Sequence, residues 1–287
     1  MYTTYQNLYK QLTNIYPLNE AKAIVRMVLE DRFGLTLADI YTDKVTQLSA
    51  DDASKLEKIM LRLAKGEPVQ YVLGSVTFCG RQFGVAPGVL IPRPETELLC
   101  EWVINVHDKP YCALQPPTPL RVLDVGTGSG CIAITLSLDM PNTVVSACDI
   151  SPEALLIARD NAIRLGATVN FQMKDALQLA ATEETFDIIV SNPPYICDSE
   201  RTEMMQNVLD HEPPTALFVP DDDPLRFYRA IAEYGTTALS HGGELYFEIN
   251  DRFADEVSAM LNALGYAGTE VRTDQFGKQR FVKTIRA

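Results

Sequence analysis

Three observations predict an α/β protein: a mostly parallel sheet covered by helices on both faces, with a small all-helical N-terminal domain and a β-hairpin linker. From Leu120 onward, short apolar runs alternate with helix-length amphipathic stretches, the pattern of strand–helix–strand units. A glycine cluster, Gly126-Thr127-Gly128-Ser129-Gly130, follows the first such run and opens a helix. Residues 1–75, by contrast, carry only helical periodicity.

In residues 1–75, Leu8, Leu12 and Ile15 fall on one helical face. Ile24, Val25, Val28 and Leu29 form a second stripe that stops at Gly34. Leu56, Ile59, Met60 and Leu63 form a third, opened by Ser49 with Asp52 three residues on and closed by Gly66 and Pro68. Such stripes are the core of a small bundle, with outward faces left for a partner. Residues 76–91 read as a linker, with Val76–Phe78 and Arg81–Val85 forming a hairpin about Cys79-Gly80. In Ile91-Pro92-Arg93-Pro94-Glu95-Thr96-Glu97 the prolines hold an extended entry, and the acids suit a helix's first turn. Leu98, Leu99, Trp102, Val103 and Val106 give that helix its apolar face, and a loop with Pro110, Pro116, Pro117 and Pro119 follows. Within the larger domain, 92–287, strands are predicted at 120–125, 143–148, 168–172, 186–191, 243–249 and 280–284. Helices are predicted at 130–139, 152–165, 224–240 and 251–264, with Asp221-Asp222-Asp223 as a solvated helix start.

Composition narrows the class. A content of 46% hydrophobic and 22% charged residues is that of a soluble globular protein. No apolar run approaches the roughly 18 residues of a membrane span. The N-terminus has neither a basic nor an apolar leader region, so a cytoplasmic protein without membrane contact is expected. Six scattered cysteines without a C-x-x-C pair point to reduced thiols, and three distant histidines to the absence of a structural metal. The net charge of −13 resides entirely in residues 76–287, since residues 1–75 hold nine basic and nine acidic residues. Nucleic-acid surfaces draw affinity from Lys and Arg contacts to phosphate, so an acidic domain without a basic run argues against that partner.

Two motifs carry the chemistry. The first predicted strand ends Val122-Leu123-Asp124-Val125 and runs into the glycines, whose backbone can approach a ligand closely in front of a helix N-terminus. A dinucleotide fingerprint fails, because its third glycine position is Cys131. The second strand ends at Asp149, a carboxylate that can accept the two hydroxyls of a ribose or cap the helix opening at Ser151-Pro152. The run Phe186–Val190 must stop at Ser191 or Asn192, because Pro193 and Pro194 have no N–H for a ladder. Asn192-Pro193-Pro194-Tyr195 therefore stands at the carboxyl edge of the sheet, where open α/β sheets bind ligands. The Asn192 side-chain oxygen and the Pro193 carbonyl can each accept one N–H of a planar amide or amine, and the Tyr195 ring can set its tilt. Two such bonds orient a weakly nucleophilic nitrogen without a general base.

The spacing Asp124-x-Gly126-x-Gly128-x-Gly130 resembles the first motif of class I S-adenosylmethionine-dependent methyltransferases. Nearly the whole chain resembles the HemK/PrmC-type protein-(glutamine-N5) methyltransferases. The matching stretches are Gly66–Tyr71, Leu90–Glu97, Asp124–Gly130, Asp149–Ser151, Asn192–Tyr195, His211-Glu212-Pro213 with Ala216-Leu217, and Phe247-Glu248-Ile249. The resemblance implies a Rossmann-like, mostly parallel seven-stranded sheet. It implies S-adenosylmethionine as cofactor, held by Gly126, Thr127, Gly128, Ser129, Gly130, Asp149, Asp175 and Asn192, with Asp175 facing the adenine amino group. It implies catalysis by Asn192, Pro193 and Tyr195, and substrate contact through these and Pro194. The implied partners are class-1 peptide chain release factors, methylated on the glutamine of their GGQ tripeptide and engaged by the helical domain. Departures are Cys79 where relatives carry Trp in the hairpin, Ala176 where an aromatic is common, and Asn250 where Gly is usual. Glu95 and Glu97 suit either a helix dipole or the cofactor entrance. An N6-adenine methyltransferase of DNA or RNA shares Asn-Pro-Pro-Tyr and is the alternative enzyme. A binding module that has lost catalysis is the alternative outside enzymes.

Overall fold

A computed structural model describes residues 4–107, 118–180 and 184–287; Cys112 and the predicted loop prolines Pro110, Pro116 and Pro117 lie outside these. In chain order the first elements are α1 (Tyr5–Leu12), α2 (Leu18–Phe33), α3 (Leu37–Tyr41), α4 (Ala50–Leu63), α5 (Val69–Leu73), β1 (Ser75–Phe78), β2 (Arg81–Gly84) and α6 (Pro94–His107). Then come β3 (Leu120–Val125), α7 (Cys131–Asp139), β4 (Thr143–Asp149), α8 (Pro152–Leu165), β5 (Val169–Met173), β6 (Phe186–Ser191), β7 (Ile196–Cys197) and α9 (Gln206–His211). The chain ends with β8 (Phe218–Val219), α10 (Arg226–Ala238), β9 (Leu239–Glu248), α11 (Ala254–Ala263), β10 (Tyr266–Thr273) and β11 (Gln279–Arg286). Two compact units result: Met1–Val76 with Met205–His211, and Thr77–Met204 with Glu212–Ala287.

The first unit is helical because its three stripes meet. Leu8, Leu12, Ile24, Val25, Val28, Leu29, Leu56, Met60 and Leu63 are buried together. Ile15 is not among them: α1 stops at Leu12 ahead of Pro17, which leaves Ile15 at 43% exposure. The Ser49 hydroxyl accepts the Asp52 N–H at 3.1 Å and opens α4, and Gly34 closes α2 in the left-handed conformation. Arg62 ties α4 to α5, pairing with Glu67 and donating to the carbonyls of Tyr71 and Val72. Glu67 thus has its ion-pair partner within this unit.

At the predicted hairpin, Cys79 and Gly80 both have positive φ (45° and 71°), which makes the two-residue turn that suits the twist of its strands. The Cys79 N–H donates to Glu97 Oε1 at 3.0 Å, so Glu97 docks the turn on α6.

The second unit is built on a seven-stranded sheet in the order β10-β11-β9-β6-β3-β4-β5. β4, β3, β6 and β9 run parallel with β5, and β11 is antiparallel to both β9 and β10. The predicted strands are present. β9 begins earlier, at Leu239, and β10 is an addition to the pattern read from the sequence. The helix expected over 224–240 begins at Arg226 and ends at Ala238, and the one expected over 251–264 opens with a 3₁₀ turn, Asp251–Phe253. Of the expected acidic helix start, Asp223 pairs with Arg229 at 3.1 Å and Asp221 accepts the Ser199 hydroxyl at 2.6 Å. The five described cysteines are free thiols, four of them buried. Among the described residues no helix is long and apolar enough to cross a membrane.

The strand order positions the site. The chain lays β3, β4 and β5 side by side towards one edge of the sheet, then returns to place β6 along the other side of β3. Such a reversal opens a crevice beyond the carboxyl ends of the two central strands.

Candidate active site

The register across the sheet brings the motifs into one row. Val125 pairs with Cys148 on one side and Ser191 on the other, and Ser191 pairs with Phe247. The next residue along each parallel strand is Gly126, Asp149, Asn192 and Glu248. These four therefore emerge side by side at the carboxyl edge.

The glycine loop is shaped by its backbone. Gly126 and Thr127 donate to the Cys148 carbonyl at 2.9 and 3.0 Å, which folds the loop over β4. Gly128 has φ +55°, and a Cβ built on it meets nothing within 4 Å, so the space above it is open. Gly130 differs: at φ +82° its Cβ would come within 2.9 Å of Ile134 and 3.1 Å of Ala158, where α7 passes α8. Asn161, buried on α8, donates to the carbonyls of Ser129 (2.9 Å) and Gly84 (3.0 Å) and accepts the Gly84 N–H at 2.6 Å. It clamps β2 to the glycine loop. A buried amide beside Ala158 and Ala162 on an apolar face was the only trace of it in the sequence.

Asp124 is wholly buried, and its Oδ2 accepts the Thr127 hydroxyl at 2.6 Å and the Ala133 N–H at 3.2 Å. Burial pushes its pKa up to about 7. Asp149 accepts one backbone N–H on each oxygen, Gly128 on Oδ2 at 2.8 Å and Ser151 on Oδ1 at 2.9 Å, and burial raises its pKa. The cap of α8 is Ser151, whose hydroxyl accepts the Ala154 N–H. Each Asp149 oxygen keeps a second acceptor site, which suits a vicinal diol. Asp175 turns inward on its own loop, accepting the Leu177 N–H at 2.9 Å and the Gln178 amide at 3.0 Å.

Beyond β6, Pro193 is buried while Asn192, Pro194 and Tyr195 are half-buried. Asn192 Nδ2 donates to Thr96 Oγ1 at 3.1 Å, Thr96 donates to Glu248 Oε2 at 2.7 Å, and the Tyr195 hydroxyl donates to Glu248 Oε1 at 3.1 Å. Among the described residues, neither Asn192 Oδ1 nor the Pro193 carbonyl accepts a hydrogen bond. Burial pushes the Tyr195 phenol far up and raises the Glu248 carboxyl. Asn250 holds the loop from below, its amide donating to the Tyr195 carbonyl (3.1 Å) and to Glu200 (3.0 Å). Glu212 accepts the Ile91 N–H at 3.1 Å and pairs with Arg93 at 2.6 Å, which joins the Leu90–Glu97 segment to the His211–Pro213 segment. Sequence reasoning alone assigns no role to Thr96, Glu248, Asn250, Glu212 or Asn161.

This sheet order, with the glycine loop after β3 and the Asn-Pro-Pro-Tyr turn after β6, defines a class I S-adenosylmethionine-dependent methyltransferase fold. A family model described as PrmC N-terminal domain matches residues 5–74, and one described as Methyltransferase small domain matches residues 112–217. The release factor glutamine methyltransferase of Bacteroides thetaiotaomicron is 48% identical over 96% of this chain and 97% of its own length. That of Flavobacterium psychrophilum is 39% identical over 95% of this chain and 94% of its own. The solved Thermus thermophilus 16S rRNA N2 G1207 methyltransferase, in complex with AdoMet and guanosine, shares the fold with a TM-score of 0.53 at 16% identity, over 74% of this chain and 50% of that one. The chain belongs to the release factor glutamine methyltransferase family.

Proposed function

We propose that this enzyme transfers a methyl group from S-adenosylmethionine to the side-chain amide nitrogen, N5, of the glutamine in the GGQ tripeptide of class-1 peptide chain release factors. The observation that carries the reading is the pair of open acceptors, Asn192 Oδ1 and the Pro193 carbonyl, beside the glycine loop at the switch point of the sheet. The names of the full-length relatives support the substrate.

The residues present suit the cofactor. Asp149 has acceptor capacity for the ribose hydroxyls, the glycine loop leaves open space over Gly126 and Gly128, and Asp175 stands just beyond the end of β5 for the adenine. When bound, S-adenosylmethionine supplies a methyl group on a sulfonium, an electrophile that needs no acid. An amide nitrogen has a delocalised lone pair, so the protein's task is to hold it. Asn192 Oδ1 takes one amide N–H and the Pro193 carbonyl the other, which fixes the nitrogen's direction, while Pro194 and the Tyr195 ring flank the planar group. Positioning of this kind lowers a barrier by pre-set geometry and fixed dipoles. The helical unit is the proposed docking domain for the release factor, and the enzyme acts in the cytoplasm.

An assay with methyl-labelled cofactor tests the reading. Purified release factor is expected to take up label, its GGQ Gln→Ala form none, and DNA and RNA none. Label in nucleic acid with none in the wild-type factor overturns the proposal in favour of N6-adenine methylation.

A further inference from the structure

We propose that Thr96 and Glu248 are positioning residues that decide which way round the Asn192 amide sits, and so present its oxygen to the substrate. The inference rests on the amide-methylating reading above. The two ends of a carboxamide have nearly the same shape, so packing alone does not choose between them, yet only the oxygen can accept a substrate N–H. A reversed Asn192 would set its NH₂ against the substrate's NH₂.

The choice follows from counting protons. Glu248 as a carboxylate has none to give. Both hydroxyls that touch it, Thr96 at 2.7 Å and Tyr195 at 3.1 Å, must donate to it. Each hydroxyl has one hydrogen. Thr96 Oγ1 therefore meets Asn192, 3.1 Å away, with lone pairs only, and draws the NH₂ end towards itself. Oδ1 is left as the free end. A neutral residue in place of Glu248 would give the relay no fixed direction, since an amide or a hydroxyl both donates and accepts.

The fold maintains this arrangement against a cost. Glu248 is 1% exposed, and a buried carboxylate is expensive unless it is hydrogen-bonded. Burial raises its pKa, while Thr96, Tyr195 and Arg280 on β11 favour the charged form and Glu95 on α6 opposes it. The register that pairs Ser191 with Phe247 sets Glu248 in the row beside Asn192. Asn250, two residues further along, grips the Tyr195 carbonyl, so the end of β9 holds both ends of the Asn192–Tyr195 turn. Thr96 brings the third party from α6, which explains why the Leu90–Glu97 segment accompanies the turn.

The test compares Thr96→Val, which keeps the shape and removes the hydroxyl, with Thr96→Ser, which keeps the hydroxyl. Wild-type enzyme is assayed first on release factor, so failure of the substrate reading shows there, before any variant. Thr96→Val is expected to lower kcat about tenfold or more, while calorimetric S-adenosylmethionine affinity stays within about twofold and reports an intact fold. Thr96→Ser is expected to recover most of that loss. Should Val disturb the fold, Thr96→Ala replaces it under the same expectations. A second measurement uses the affinity of release factor for the enzyme–S-adenosylhomocysteine complex. Thr96→Val weakens it in the wild-type background and has no further effect in the Asn192→Ala background. Wild-type kcat in Thr96→Val, or losses that multiply in the double variant, overturns the assignment.

Discussion

At the scale of single residues, Asn192 carries the tightest chemical constraint in the proposed reaction, in which its oxygen and the Pro193 carbonyl meet one amide together. Asn192→Ala removes the contact proposed to the reacting group and no hydrogen bond to the glycine loop. A fall in kcat of about 100-fold or more is expected, with S-adenosylmethionine affinity nearly unchanged in a calorimetric titration. A variant within a few-fold of wild type removes Asn192 from the chemistry. Asp124 makes a different prediction. Its folded pKa, about 7, lies above its unfolded value of about 3.9. The folded state therefore holds a proton that the unfolded chain has lost between those values. That contribution is complete below about pH 4 and is lost as pH rises through 7. Asp124→Asn, measured without cofactor, is expected to melt about 2–4 °C above wild type at pH 8.5, with the gap closing at pH 5. A gap independent of pH contradicts the assignment of the strain to the charge. Residues such as Asp124, Asp149 and Asn192 are legible because each stands at or next to the end of an apolar run and within three residues of a Gly or Pro. Asn161, Thr96 and Glu248 are not, because their partners lie 77, 96 and 152 residues away and no local pattern records them.

Elements show the same division for a different reason. β3 is buried from Val122 to Val125 and β6 at every residue but Asp187, so short, largely apolar runs disclose them. β10 is an edge strand on which only Tyr266 is buried, and a register shift between Ala267 and Glu270 interrupts its alternation, so the sequence does not disclose it. Ile15 failed in the opposite sense: the helical spacing was right and the helix had already ended. α7 and α8 approach closely at Gly130. Gly130→Ala places a Cβ 2.9 Å from Ile134 and 3.1 Å from Ala158 and forces a left-handed φ on an L residue. A loss of about 1–3 kcal/mol in denaturant unfolding is expected, with weaker cofactor binding because the loop must shift. Glu212 links two other segments through Ile91 and Arg93. Glu212→Ala is expected to destabilise by about 2 kcal/mol, since it strands a buried N–H and an ion-pair partner. Unchanged stability in chemical denaturation would remove that link from the architecture.

For the molecule as a whole, the assignment of Met205–His211 to the helical unit is the clearest case of structure beyond sequence. Nothing in that stretch marks it, because membership of a unit depends on contacts with residues far away in the chain. The site has the same collective character: its row of Gly126, Asp149, Asn192 and Glu248 exists only once β3, β4, β6 and β9 are in register. A ligand that binds this row binds the folded sheet and not the unfolded chain. S-adenosylhomocysteine at about 100 times its dissociation constant is therefore expected to stabilise that unit by about 2.7 kcal/mol. Amide exchange at the carboxyl ends of those four strands slows together, since opening any one of them dismantles the row. Asp149→Ala removes the proposed ribose acceptor and the partner of the Gly128 N–H. It is expected to lose most of the ligand-induced shift in melting temperature at the same ligand concentration. If the variant kept the full shift, the cofactor would have to be held elsewhere, and the row would be a feature of the fold alone.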